Sequence, residues 1–222
     1  LKKYSADALR QWAALSGAFA KDRPFSYKDV DYSQSFLNKL WNAARFVETS
    51  CIGYNEASKP PALSAVDQWM LQRLSQTIEQ NTSAWKKYDY YSAINALHQF
   101  FWRDYCDYYL EDVKHRVYGS DEESKRAAQY TLRIVLRDSL KLLAPFAPFT
   151  TEELWRALFD AKCSIHLSEW PDAISSTGVL QRSCIFTTPA CFSCASNEPS
   201  SRNAARIFSL NSGSFKPENS PA

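Results

Sequence analysis

The sequence predicts an all-α fold, a helical bundle. Three observations predict it. Apolar residues recur at three- and four-residue spacings over long stretches. Glycines are sparse, five in 222 residues. Capping side chains stand at the head of several of the periodic stretches. Only Ser164-Ile165-His166-Leu167 alternates, and it is read as one short strand. Long helices joined by short loops pack as antiparallel neighbours.

Six helical segments are expected, in order. The first covers about 5–19, with Ala8, Leu9, Trp12 and Leu15 on one side and Gly17 near its end. The second covers about 29–51 and stops at Gly53; the loop Lys59-Pro60-Pro61 follows. The third covers about 64–86 and opens with Ser64-x-x-Asp67, a variant of the capping box. Val66, Met70, Leu74 and Ile78 are its expected core stripe. The fourth covers about 89–117, capped by Asp89 and closed by Gly119. The fifth covers about 121–144, with Asp121 as cap, Glu122 and Glu123 at its positive end and Pro145 as its stop. The sixth covers about 150–160 and is expected to open with a capping box in Thr150-Thr151-Glu152-Glu153.

Composition removes several function classes. Charged residues are 23% and hydrophobic ones 45%, ordinary for a folded chain. Neither G-x-G-x-x-G nor G-x-x-x-x-G-K-[ST] occurs, so a dinucleotide fold and a P-loop lose support. Three His are too scattered for a histidine metal centre. No apolar run approaches the ~20 residues of a membrane span. No signal peptide is read, and the missing initiator Met suggests a piece of a longer chain. A net charge of +2 restricts any nucleic-acid contact to a local patch. Cys51, Cys106 and Cys163 lie far apart and read as reduced thiols of a cytoplasmic protein.

Composition shifts near Pro171. Residues 171–222 hold five of the ten Pro, eleven Ser, three of the six Cys and seven charges, without helical or strand period. That is a low-structure Ser/Pro/Cys-rich tail. Its Cys191-x-x-Cys194, with Cys184 upstream, lacks the second ligand pair that zinc wants, so no metal is assigned.

The second helix carries the chemistry. Stepping ~100° per residue from Leu37 puts Val30, Phe36, Leu37, Leu40, Trp41, Ala43, Ala44 and Val47 on one broad face, the buried side. Ser35, Lys39, Asn42 and Phe46 fall on the far side; Arg45 flanks them, and Lys28 projects onto the same line. Phe46 is out of place among cations and an amide. A ring there could stack on an unpaired base while the amide reads an edge and the cations hold phosphate. The plainer reading packs Phe46 beneath a neighbouring helix or the Lys59-Pro60-Pro61 loop.

The fourth helix holds Phe100-Phe101-Trp102-Arg103-Asp104-Tyr105-Cys106-Asp107-Tyr108-Tyr109, aromatic nearly all round. It reads as the bundle centre, or else as presenting Trp102, Arg103 or Tyr109 to a ligand. Asp104, Asp107, Glu111 and Asp112 lack a His or metal partner and read as a solvated face. Lys114, His115 and Arg116 sit where a helix dipole favours cations, with a phosphate contact as the alternative. No catalytic constellation is found.

Several of these stretches resemble the valyl-tRNA synthetases, and the archaeal-type enzymes in particular. Asn38-Lys39-Leu40-Trp41-Asn42-Ala43-Ala44-Arg45-Phe46-Val47 is similar to the helix opening that family's C-terminal anticodon-binding domain. Residues 1–14, around Tyr4-Ser5-Ala6-Asp7-Ala8-Leu9-Arg10, resemble the segment just after its KMSKS loop. Residues 100–118 resemble its long aromatic helix. Leu142-Leu143-Ala144-Pro145-Phe146-Ala147-Pro148-Phe149 and the following Thr150-Thr151-Glu152-Glu153-Leu154-Trp155 resemble a run shared with isoleucyl enzymes. Ser164 to Pro171 resembles the element closing the domain. The choice of valine over isoleucine rests on Phe101-Trp102 with Cys106-Asp107-Tyr108-Tyr109-Leu110-Glu111.

The resemblance implies a helical bundle of the class I aminoacyl-tRNA synthetase anticodon-binding type. It divides the chain into 1–24, the end of a connection to a catalytic domain; 25–171, the anticodon-binding domain; and 172–222, the tail. The implied partners are a valine tRNA and a preceding catalytic domain. ATP is implied for the full-length ligase, and no cofactor for this segment. Phe46 would stack on an anticodon base, with Arg45, Lys39, Asn42 and Lys28 as the other tRNA contacts. The signatures HIGH and KMSKS are absent, so this segment alone is not expected to activate valine. The tail departs from the family, as a divergent extension or a shifted reading frame would. An isoleucyl-tRNA synthetase domain, or a derived helical interaction module without RNA binding, are the alternatives.

Overall fold

A computed structural model of the chain describes residues 3–17, 24–54 and 61–173. The helices are α1 (Ala6–Leu15), α2 (Tyr27–Ser50), α3 (Ala65–Lys86), α4 (Tyr90–Gln99), α5 (Leu110–Val117), α6 (Glu122–Leu143) and α7 (Pro148–Leu158). Between α4 and α5 the helix continues over Phe100–Tyr109 with the wider i→i+5 winding. The expected single helix from 89 to 117 is therefore continuous but not uniformly α. The class is all-α as predicted. The readings on Lys59, Pro60, Cys184, Cys191 and Cys194, and on the tail beyond residue 173, lie outside the described residues.

Local chemistry sets most boundaries. Ser5, Ser64, Asp89 and Asp121 each accept from a backbone N–H in the first turn of the helix they precede. At Ser64 the capping box is complete, because Asp67 also accepts from the Ser64 backbone. Gly17 and Gly53 follow α1 and α2 with positive φ, 131° and 80°. Tyr88 takes the left-handed turn between α3 and α4, at φ 58°.

Three expectations fail. Val66 is exposed, while Met70, Leu71, Leu74 and Ile78 are buried, so the α3 stripe begins one turn later than predicted. Ser164–Leu167 is no strand. Ser164 caps a short 3₁₀ turn over Ile165–Leu167, and Glu152 accepts from the Ser164 hydroxyl and the Ile165 N–H. Thr150 does not open α7. Pro148 occupies its first position, and the Thr150 N–H donates to Asp7, 143 residues away (2.7 Å). A carboxylate from α1 thus does the capping, on the positive end of the helix dipole.

The core runs through the bundle. α3 packs against α4 and α6, and α1 against α2, α4 and α7. Phe36, Leu40, Phe101, Tyr105, Tyr109 and Leu132 are among the largest sealed side chains. Each buried ring or Leu contributes roughly 1.5–3 kcal/mol of apolar transfer. Buried polar groups tie helices together. The Tyr105 hydroxyl donates to the Leu132 carbonyl (3.0 Å), Asn81 to Ala93 (2.8 Å) and Gln129 to Ser50 (2.7 Å).

The densest polar knot surrounds Asp67, at 0% exposure. Arg116 reaches it with two N–H···O bonds of 2.8 Å, and the Tyr109 hydroxyl donates at 2.6 Å. Burial pushes the Asp67 pKa up, but the bonds from Arg116, Tyr109 and Ser64 outweigh it and hold it below the usual value. Arg116 is thus not a helix-end phosphate ligand, and Tyr109 reaches no ligand surface.

Candidate nucleic-acid interface

The outward side of α2 divides into two strips. Along one, Asn38, Trp41, Asn42 and Arg45 line a groove of about 540 Å³ with Gln34, Ser5 and Thr150. The Ser5 backbone N–H and hydroxyl both donate to Gln34 Oε1 (3.2 and 3.0 Å), and Gln34 donates to Asn38 (3.3 Å). These bonds hold the α1 start against α2. The Asp7–Thr150 bonds set the α7 wall. Among the described residues no carboxylate lines the groove; three amides, an indole and a guanidinium do. Near Arg45, burial raises the pKa of Glu48, and the Arg45 charge partly offsets the shift.

The second strip faces the wide-wound segment. Lys39 forms an ion pair with Asp107, and its ammonium lies 4.3 Å from the Trp102 ring centroid. Tyr32 stacks on Trp102 at 5.9 Å and 13°. Beneath them Phe36 stacks on His98 at 3.7 Å. Burial lowers the His98 pKa to about 3, so the imidazole is neutral.

The predicted residues separate accordingly. Asn42 and Arg45 are exposed and share the groove. Lys39 stands on the other strip with its charge already matched. Phe46 is half-buried and packs against the core cluster, so its ring is neither sealed nor fully presented. Lys28 is exposed in the first turn of α2. At 1.5 Å per residue it lies about 27 Å along the axis from Phe46, too far to share one nucleotide with it. Sequence reasoning missed Asn38, Gln34, Ser5 and Thr150; it placed Trp41 on the buried side, and Trp41 is half-buried against the core while it also lines the groove. The available signal was Trp41 at the rim of the apolar arc, one turn from Asn38 and Arg45. The acids Asp104 and Asp107 are ion-pair partners, Asp104 bonding Arg73 at 2.7 Å.

Amides that read base edges, an indole that stacks and a guanidinium that holds phosphate suit an unpaired RNA strand. The model of the anticodon-binding domain of tRNA ligase matches residues 67–186, more than half of the chain. The chain belongs to that family. The chain is 42% identical over 174 residues to the valine–tRNA ligase of Thermococcus kodakarensis, covering 77% of this chain and 20% of that protein. It is 43% identical over 175 residues to the valine–tRNA ligase of Methanothermobacter thermautotrophicus, covering 78% and 19%. With that of Listeria monocytogenes it shares 39% over 173 residues, covering 77% and 20%. The chain therefore spans about a fifth of the length of these relatives. Among solved structures it is similar to the LeuRS of Agrobacterium radiobacter in a ternary complex with tRNA and LeuAMS. That match has a TM-score of 0.58 and 19% identity, and covers 78% of this chain and 20% of that one; it supports the fold. No helix among the described residues is long and apolar enough to cross a membrane.

Proposed function

We propose that this chain is the anticodon-binding portion of a valine–tRNA ligase, and that in the full-length enzyme it binds the anticodon stem-loop of valine tRNA. The observation that carries the reading is the groove lined by the amides of Asn38 and Asn42, the Trp41 indole and the Arg45 guanidinium, on a chain 38–43% identical to valine–tRNA ligases. ATP-dependent attachment of valine belongs to the remainder of that enzyme. Arg45 holds phosphate and Asn42 reads a base edge. Phe46 offers the open part of its ring to a base beside them. Lys39 reaches phosphate by exchanging Asp107 for it, and Lys28 touches the strand farther along α2.

The test is a gel shift of the chain with valine tRNA, an anticodon-swapped valine tRNA and isoleucine tRNA. Arg45→Ala should weaken valine tRNA several-fold and flatten its salt dependence by about one unit of log–log slope per lost phosphate contact. Asn42→Ala should erode the preference for the native anticodon. Equal affinity of the parent chain for all three RNAs would sink anticodon reading. Preference for isoleucine tRNA would reassign the amino acid.

A further inference from the structure

We propose a second nucleotide-binding site on the outward face of α4, resting on the reading that the chain binds RNA and sharing no residue with the α2 groove. Tyr91, Asn95 and Gln99 recur every four residues along α4, and Arg103 continues the row on the wide-wound segment. Two cavities flank this row, and Asn95 lines both.

The first cavity, about 160 Å³, brings together rings from three helices: Trp12 of α1, Tyr32 of α2 and Tyr91 of α4. Tyr32 is 49% exposed and Tyr91 39%, while Tyr32 is backed by its stack on Trp102. Asp29 lines the same cavity and repels phosphate, but a carboxylate accepts readily from the N–H groups of a base. The second cavity, about 240 Å³, is polar and holds Arg73, Arg103, Gln80 and Gln99. Asp104 there already binds Arg73 through two N–H···O bonds of 2.7 and 3.0 Å. Arg103 is exposed and leaves the cavity with a net positive charge. Four residues of helix advance ~6 Å, the scale of one nucleotide. Tyr91 and Arg103 stand twelve residues apart, ~18 Å along the row, so a base enters the ringed cavity, Asn95 bridges, and the phosphate of a nucleotide about three steps farther along the strand lies against Arg103.

A protein partner would find fewer complements here, since the Arg103 guanidinium, a row of amides and a ringed cavity favour a phosphate-bearing strand. The test uses the chain with valine tRNA, a short single-stranded RNA of mixed sequence, and the abasic analogue of that strand. Tyr91→Ala should weaken the mixed strand about five-fold or more and leave the abasic strand unchanged. Arg103→Ala should weaken both strands and reduce the salt slope by about one unit. Asn95→Leu, at a half-buried position, should act as Tyr91→Ala does, and thermal melting of all variants confirms folding. If Arg45→Ala weakens valine tRNA while Tyr91→Ala, Asn95→Leu and Arg103→Ala change none of the RNAs, the second site is wrong and the α2 groove stands. If none of the four changes RNA binding, both fall. Capture of a protein competed by Arg103→Ala, without RNA binding, would also overturn it.

Discussion

Two ion pairs in this molecule use the same chemistry to opposite ends. Arg116 and Asp67 are sealed, with side chains 9% and 0% exposed, and every lone pair of the carboxylate is engaged. Lys39 and Asp107 are open, at 27% and 50%. A sealed pair cannot exchange its partner without unfolding its surroundings, because a buried unpaired charge costs several kcal/mol. An open pair is screened by water and exchanges readily. Arg116 is therefore architecture, whereas Lys39 sits beside a Trp ring in an exchangeable pair, as its proposed phosphate contact requires.

The largest expected effect comes from breaking the sealed pair. Arg116→Met should destabilise the domain by about 3–5 kcal/mol in urea denaturation, whereas Lys39→Met should cost ~1 kcal/mol or less. Equal costs would erase the contrast.

Next comes His98, sealed beneath the open strip. Its folded pKa of about 3 lies below the ordinary 6.5, so its contribution is fully present above pH 6.5 and is lost as pH falls from there toward 3. Between pH 6.5 and 5, the unfolding free energy from urea denaturation should fall with acid, by at most about 1.4 kcal/mol per pH unit, and His98→Phe should flatten that slope.

Phe46 sharpens the comparison from the side of RNA binding. Phe46→Leu keeps apolar packing and removes the aromatic face, so valine tRNA should weaken by roughly 1–3 kcal/mol while the melting temperature changes little. A lowered melting temperature with unchanged RNA affinity would make Phe46 a packing residue. The smallest effect is expected at Asp107. Asp107→Asn frees Lys39, and valine tRNA should bind slightly tighter at low salt, the gain vanishing at high salt.

What could be read in the sequence follows the range of the forces involved. Ser64, Asp89 and Asp121 act on N–H groups two or three residues away, so their caps were legible. The Phe36–Leu40–Val47 side of α2 was legible because helical period is a local property. Apart from Val66, where the local period overreached by one turn, the main failures are long-range. Asp7 replaces the expected Thr150 box across 143 residues, Asp107 occupies Lys39 across 68, and Asp67 claims Arg116 across 49. No spacing rule reports such partners. The alternation at Ser164–Leu167 misled because four residues are too few to outweigh Glu152, which gathers that turn. The groove on α2 was half legible: its cation and one amide were named, but its walls come from α1 and α7.

The bond from Asp7 to Thr150 works as a hoop around a cask. It joins the earliest helix of the bundle to the last long one, so neither can peel away alone, and a change confined to one end is felt at the other. Shortening the chain past Asp7 would loosen the α7 staves and widen the cleft along α2, although no residue inside that cleft had been touched.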